Sequence, residues 1–538
     1  MKKLSIPEKD QDAAINLCLD TLSHHKQAIV FVSSKPSAES LAERIANGIK
    51  KSDFANYNID NQKTKSITDG ILGAISPPTR QCKREGSCTE KGIAFHHAGL
   101  HSQQRELIED GFRTGAIKII CATPTLAMGV DLPAFRTIIR DLKRYGGRGM
   151  QFIPVLEYEQ MAGRAGRPGM EEYGEAIIFA QTPEEKEKLV EKFLQGEAEE
   201  IYSKLAVEPV LRTYVLSLVA SGFIANQDSL ETFFDSTFYA LQYGDLERLH
   251  EIISKMVLEL RTWDFLKHTD DEFISASDVG HRVLEASLLG KRVSELYLDP
   301  YTAHQLIVQM HAAQAPGRDA VSNEGVLFMI SRCLEMRPLP RVKAGDYERI
   351  EEFLNKCSGR LFEEEPAMFQ EEYDDFLAAT KQTLLFLDWI DEKHEEELLE
   401  RYSVRPGELR GKLENADWLL YAASELGKLN SIYAVSREAT KLRIRLEYGA
   451  REELLPLLRL KGIGKIRARM LYQRGIKDLG DVKSVEASTL ISLLGKQLAI
   501  DIKKQVGEEI RPEFLKVKEN KRKGQINLMD YDDNQSSN

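Results

Sequence analysis

The chain has 538 residues, 42% of them hydrophobic, enough to bury several cores and to make roughly three to five domains the natural expectation. Its 84 acidic residues against 73 basic ones leave a net charge of −11, which excludes non-specific coating of nucleic acid. Any nucleic-acid path must then be a local basic or aromatic track in an acidic body. There is no apolar run of membrane-spanning length and no apolar core near Met1, and the six cysteines are scattered, so the expectation is a cytoplasmic protein with reduced thiols and neither membrane span nor signal peptide.

Residues 1–184 alternate strands and helices. Gln27 to Val32 reads as a strand ending in Ser33-Ser34-Lys35, and a helix from Ser37 to Ile49 follows, with Ala38, Leu41, Ala42 and Ile45 at helical spacing. Cys82 and Cys88 are expected in a polar loop, and their spacing fits no common zinc site. Further strands are expected at Ile93 to Phe95, Ile117 to Cys121, Thr137 to Arg140 and Glu175 to Phe179, the rhythm of a parallel sheet. His96 and His97 point apart on a strand and read as structural, so no metal site is expected. The strand ending at Cys121 delivers Ala122-Thr123-Pro124-Thr125, whose N–H and O–H groups suit a phosphate. Gly146-Gly147 marks a hairpin flanked by Tyr145 and Phe152, with Lys143, Arg144 and Arg148 around it. Gln160 to Arg167 then sets Arg164 and Arg167 among glycines, two guanidiniums suited to the charge that develops on a transferring γ-phosphate.

From 185 to 292 the chain turns helical at Glu184 to Leu194, Leu211 to Ser221 and Leu246 to Trp263, and a polar-to-apolar stretch from Thr269 to Ser275 closes it as a small hairpin would in a winged helix. Asp299-Pro300 is a sound helix start. Residues 293–446 read as a helical bundle, acidic from Glu363 to Glu400. Within it Leu409 to Leu426 places Trp418 and Tyr421 on one helix, either as core residues or as a stacking platform for single-stranded DNA. Residues 447–508 hold Gly462-Ile463-Gly464 between two short helices, a helix-hairpin-helix signature. Lys461, Lys465, Arg467 and Arg469 surround it, for phosphate contact or for packing. Residues 509–538 form a basic, then polar tail, in which Gln525 to Tyr531 half-resembles a sliding-clamp-binding peptide, with Asp532 at the second aromatic position.

Ala122 to Ala134 (A-T-P-T-L-A-M-G-V-D-L-P-A) resembles motif V, and Gln160 to Gly169 (Q-M-A-G-R-A-G-R-P-G) motif VI, of superfamily-two helicases. The spelling is closest to the Ski-two-like group and its archaeal Hjm-type (Holliday-junction-migration) DNA helicases, and F-H-H-A-G-L at Phe95 to Leu100, with Arg105 and Gly111 to Gly115, resembles that group's motif IVa. The resemblance implies an α/β RecA-like domain, the second of a helicase pair, followed by winged-helix, ratchet-bundle and helix-hairpin-helix domains. It implies 3′-to-5′ unwinding of forked or branched DNA in repair, driven by ATP and magnesium. Arg164, Arg167 and Gln160 would then be catalytic, and Gly129, Asp131 and Gly163 would bind ATP. Ser33, Arg105, Thr123, Tyr145, Phe152, Trp418, Lys461, Gly462, Gly464 and Lys465 would contact DNA, and the hairpin between motifs V and VI would split the duplex. The arginine that the family carries one heptad before Trp418 falls on Gly411, between Arg410 and Lys412.

No G-x-x-x-x-G-K-[ST] occurs, because no Gly-Lys pair is followed by Ser or Thr. The string Asp391-Glu392-Lys393-His394 mimics a DExH box but lies far beyond motif VI, in what reads as amphipathic helix. The expectation is therefore that the P-loop and its magnesium acid belong to a first RecA-like domain working in cis or trans, without which the chain turns over no ATP. Single-stranded or forked DNA is the expected partner, with a single-strand-binding protein or sliding clamp as further candidates. Alternative readings are an ATP-independent DNA-binding protein and a Ski-two-like RNA helicase.

Overall fold

The computed structural model describes residues 5–75, 77–146, 149–167, 169, 171–205, 207–267, 283–315 and 321–508. The stretch from Thr269 to Ser275, Gly147, Arg148 and the clamp-like segment Gln525 to Tyr531 lie outside the described residues.

Five strands form a parallel sheet in the order β2-β3-β1-β4-β7: β1 (Ala28–Phe31), β2 (Ile93–His96), β3 (Ile119–Ala122), β4 (Arg136–Ile139) and β7 (Glu175–Ile178). The central strand β1 reads Ala-Ile-Val-Phe and is buried throughout, as a strand covered on both faces must be. Ala28 sits level with Ile119 on one side and Arg136 on the other. The two strands expected from Gln27 and Ile117 begin one and two residues later. The Gln27 side chain caps the carbonyls of Phe112 and Ile117, and the Ile117 amide bonds to Gly111, closing the turn that precedes the ladder. A separate antiparallel pair, β5 (Lys143–Gly146) and β6 (Gly149–Phe152), is the expected hairpin.

Helices α1 (Ala13–Ser23), α2 (Lys35–Gly48), α3 (Asn61–Gly73), α4 (Arg80–Thr89), α5 (Ser102–Arg113), α6 (Thr125–Gly129), α7 (Val155–Ala162) and α8 (Pro183–Leu189) complete this part. The α4 helix corrects the expected polar loop. Cys82 and Cys88 are buried on it, behind a Thr79 cap, and Gln104 donates to the Cys82 sulfur. The buried face of α4 is Cys82, Glu85, Gly86, Cys88 and Thr89, too small and polar to register as an apolar stripe. No cluster of three or more metal-ligating side chains exists among the described residues.

Beyond the sheet the chain is helical. Glu208–Ala220, Gln227–Asp235 and Leu246–Thr262 pack together, and antiparallel bridges Asn226↔Val283 and Leu266↔Ala286 tie down the flanks of the following stretch. Asp299 caps the helix Pro300–Ala312 through the Tyr301 amide. One core runs from Leu211 to Leu446, so the 185–292 and 293–446 stretches share their interior. Asp391 to Lys393, expected in a helix, form a turn between the helices Glu372–Ile390 and Glu395–Tyr402, with Glu392 at φ +66°. A last small core, Ala450 to Ile502, holds the two-glycine hairpin. No helix among the described residues is long and apolar enough to cross a membrane.

Candidate functional site

The motif V and motif VI segments are stitched to each other. After α6 the chain returns to the sheet through Asp131 and Pro133, and the Ala134 amide donates to the Arg164 carbonyl at 2.8 Å while the Gly166 amide donates to the Ala134 carbonyl at 2.7 Å. Gly166 needs its φ of +93°, and a Cβ on Gly174 would overlap the Gly166 amide, so glycine is required where these backbones cross. Arg164 donates to the Asp131 carboxylate at 2.8 Å and to the Ala127 carbonyl at 2.5 Å, and its Nε is buried without a partner. Arg167 is half-buried, donating to the Pro133 carbonyl at 3.1 Å and to the Gln27 side-chain oxygen, with its guanidinium 5.7 Å from the Phe112 ring. Burial lowers the pKa of Arg167, although a guanidinium keeps its charge even so. Gly129, Asp131, Gln160 and Gly163 are exposed around this pair. The structure thus gathers the residues expected at a nucleotide.

Ser33 and Thr123 lie at the opposite, C-terminal edge, just beyond the ends of neighbouring strands β1 and β3. Ser33 is exposed, and both its amide and its hydroxyl donate to Asp141, at 2.9 and 3.0 Å, a partner that sequence reasoning missed. Thr123 shares a 2.9 Å hydroxyl contact with Thr125. Arg105, on the first turn of α5, has a buried Nε without a partner.

In the hairpin's backbone register, Lys143 pairs with Phe152 and Tyr145 with Met150. Phe152, which with Tyr145 is a candidate to stack on the last base pair, stands at the foot. Its ring lies edge-on to Phe193 at 5.9 Å, with the Lys143 ammonium 4.6 Å from its centre. The rung nearer the tip belongs to Tyr145 and to Met150, which is 64% exposed.

The helix Pro406–Leu429 carries Trp418, half-buried against the shared core, its indole N–H donating to the Leu296 carbonyl at 2.9 Å. Tyr421 is more open, under the Arg443 guanidinium at 4.9 Å. Gly411 is exposed with open space around it, and Lys412 turns away to the Pro338 carbonyl. In the two-glycine hairpin Gly462 takes φ +89°, and Gly464 caps the helix Lys465–Gln473. Only part of its charge faces outward. Lys461 is exposed, whereas the Lys465 ammonium sits 5.6 Å from the Trp389 ring, its pKa lowered by burial, and Arg469 pairs with Glu392 and Glu453. These two cations dock the hairpin on the helical bundle.

A five-stranded parallel sheet that presents a pair of guanidiniums, followed by helical domains, defines the class as a RecA-like helicase domain with helical extensions. Residues 74–169 match the helicase conserved C-terminal domain, and residues 324–449 match archaeal helicase domain 4. The chain is 36% identical over 532 residues to the ATP-dependent DNA helicase Hel308 of Methanococcus vannielii, covering 93% of this chain and 67% of that protein. It is 34% identical over 514 residues to the ATP-dependent DNA helicase Hel308 of Methanocella arvoryzae, covering 95% and 66%. For that of Pyrococcus abyssi the figures are 34% over 517 residues, covering 95% and 67%. The chain belongs to the Hel308 family, and it spans about two thirds of the length of these relatives.

Proposed function

We propose that this chain supplies the second RecA-like domain and the strand-tracking domains of an ATP-dependent DNA helicase that moves 3′ to 5′ on forked or branched DNA during repair. The observation that carries the reading is the state of Arg167. Its half-buried guanidinium hydrogen-bonds only to neutral oxygens, from Pro133 and Gln27, and the Glu171 carboxylate acts on it without a direct bond, so an anion arriving there would meet a cation with no carboxylate paired to it directly. Arg164 does have a carboxylate, but Asp131 is 91% exposed, and such a pair is worth only about 0–1 kcal/mol. Turning Arg164 toward a nucleotide would give up chiefly its bond to the Ala127 carbonyl.

The residues fit a nucleoside triphosphate. Arg164, Arg167 and Gln160 would face its γ-phosphate, Gly163 would let the backbone approach, and Gly129 and Asp131 would hold the ribose end. ATP bound there would supply the driving force for translocation, and magnesium would come with its phosphates, held mainly by a P-loop-bearing domain. Ser33, Thr123 and Arg105 would hold phosphates of the tracking strand at the other edge of the sheet. The segments on either side of residues 268–282 support a winged helix, and Gly462 and Gly464 support a helix-hairpin-helix whose exposed cations are Lys461 and Arg467.

The test joins the chain to the P-loop-bearing RecA-like domain of a relative and follows unwinding of a forked duplex with a single-stranded tail of either polarity. Unwinding only from a 3′ tail is expected. DNA binding with no ATP-dependent unwinding would instead make this an ATP-independent DNA-binding protein, and preference for an RNA tail would favour an RNA helicase.

A further inference from the structure

The helix that carries Trp418 does not begin in its own domain. Its first turn, at Pro406 and Gly407, is seated on the loop His97 to Leu100 of the RecA-like domain. The Gly407 amide donates to the Gly99 carbonyl at 3.0 Å, and a Cβ on Gly407 would come within 2.5 Å of the Leu100 carbonyl oxygen and 2.6 Å of that of Ala98. A Cβ on Gly99 would in turn overlap the Arg405 side chain. Two glycines thus allow a backbone-to-backbone contact between domains whose sequences lie some three hundred residues apart.

Charge closes the joint. Glu39, on α2, is only 5% exposed. It accepts from Arg84 at 2.6 Å, from His97 Nε2 at 3.1 Å and from Arg405 Nε at 3.1 Å. His97 is fully buried, and its Nδ1 accepts from the Gly99 amide, so the proton sits on Nε2 and points at Glu39. One carboxylate thereby orients the loop through His97 and grips the helix through Arg405. Burial opposes the charge on Glu39, but His97 and Arg405 hold its carboxyl down at about 2. Beside it Lys35 pairs with Glu408, which also caps the Arg405 amide at 2.9 Å. None of these groups belongs to the nucleotide site or to the strand-contacting set.

We infer that Arg405 is a positioning residue that locks the first turn of the Pro406–Leu429 helix to the His97–Leu100 loop, so that the RecA-like domain and the helix bearing Trp418 move as one body. The inference rests on the reading of that helix as part of the strand-tracking surface. Twelve helical residues separate Pro406 from Trp418, about 18 Å at the usual rise, so a displacement of the domain reaches the strand without passing through a hinge. Arg405→Ala is the informative variant because Glu39 keeps Arg84 and His97, leaving the RecA-like core paired.

The first measurement uses the chain as it stands. In Arg405→Ala, hydrogen exchange at the Gly407 amide should speed up by about tenfold or more, as removal of a charge-assisted bond warrants, with the amides of β1 and β3 unchanged. Arg405→Lys should recover part of the protection. Gly407→Ala attacks the same seat by contact and should do the same. Unchanged exchange at Gly407 in Arg405→Ala overturns the inference. The second measurement uses the chain joined to a P-loop-bearing domain and counts ATP consumed per base pair unwound. That ratio should rise severalfold in Arg405→Ala with single-strand affinity unchanged. An unchanged ratio beside an active wild type overturns the inference alone, whereas a wild type that does not unwind overturns the helicase reading beneath it.

Discussion

Arg167 and Trp418 are both held by partners within the chain, and the consequences differ. Removing the Arg167 side chain leaves the Pro133 carbonyl and the Gln27 oxygen without a donor, a loss of about 1–3 kcal/mol of stability. Its loss at the nucleotide should be far larger. In the enzyme completed by a P-loop-bearing domain, Arg167→Ala should lower DNA-stimulated turnover by about 10³-fold or more, while Arg164→Ala should lose stability through the Ala127 carbonyl, about 1–3 kcal/mol, and little through its exposed partner Asp131. A modest, parallel fall in turnover and melting temperature would make Arg167 a packing residue. Trp418 has both a face and an edge. Trp418→Phe removes the bond to Leu296 and part of the ring packed on the core but keeps an aromatic face, and should cost at least about 0.5–1.5 kcal/mol of stability with little change in single-strand affinity. Trp418→Ala should also weaken single-strand binding by about 1–3 kcal/mol. Unaltered affinity in the alanine variant would assign the ring to the core alone.

At the scale of elements, strands of the sheet were legible to within two residues because each is a short β-branched run feeding a polar turn. Helices α3 and α4 were not, since small and polar residues line the buried face of α4. The paired strands of the hairpin were legible, but not which aromatic stands at its foot, because that depends on Phe193, far along the chain. Replacing 142–152 by a tight turn should abolish unwinding in the completed enzyme and spare most DNA-stimulated ATPase. A proportional fall in both would make the hairpin structural. The loop after β2 carries its own pH signature. Burial lowers the pKa of His97, so the unfolded chain takes up a proton near the ordinary value of 6.5 before the folded one does. Stability at this loop is full above that value and is lost as pH falls toward the folded pKa, and Glu39 adds to the loss only at lower pH, between its ordinary value of 4.5 and about 2. Thermal melting from pH 7 to 5 should therefore fall more steeply in wild type than in His97→Gln, and equal slopes would contradict a neutral buried imidazole.

For the whole molecule, the motifs were written in the sequence but the joints were not. Nothing local marks Glu39 as the partner of Arg405, 366 positions on, or shows that Lys465 and Arg469 meet Trp389 and Glu392. A lysine beside a glycine turn reads the same whether it faces DNA or Trp389. The shared core from Leu211 to Leu446 likewise joins stretches that composition separates. These joints tie the RecA-like sheet to the long helix and the two-glycine hairpin to the helical bundle. Arg164 and Arg167 would complete a nucleotide site whose phosphate cradle lies on another domain. The most direct measurement is phosphate release from ATP with single-stranded DNA present, by the chain alone and after a P-loop-bearing RecA-like domain is added. None is expected from the chain alone, and on addition a DNA-stimulated turnover that Arg167→Ala removes. Turnover by the chain alone that Arg167→Ala abolishes would place a complete nucleotide site within this chain and overturn the reading.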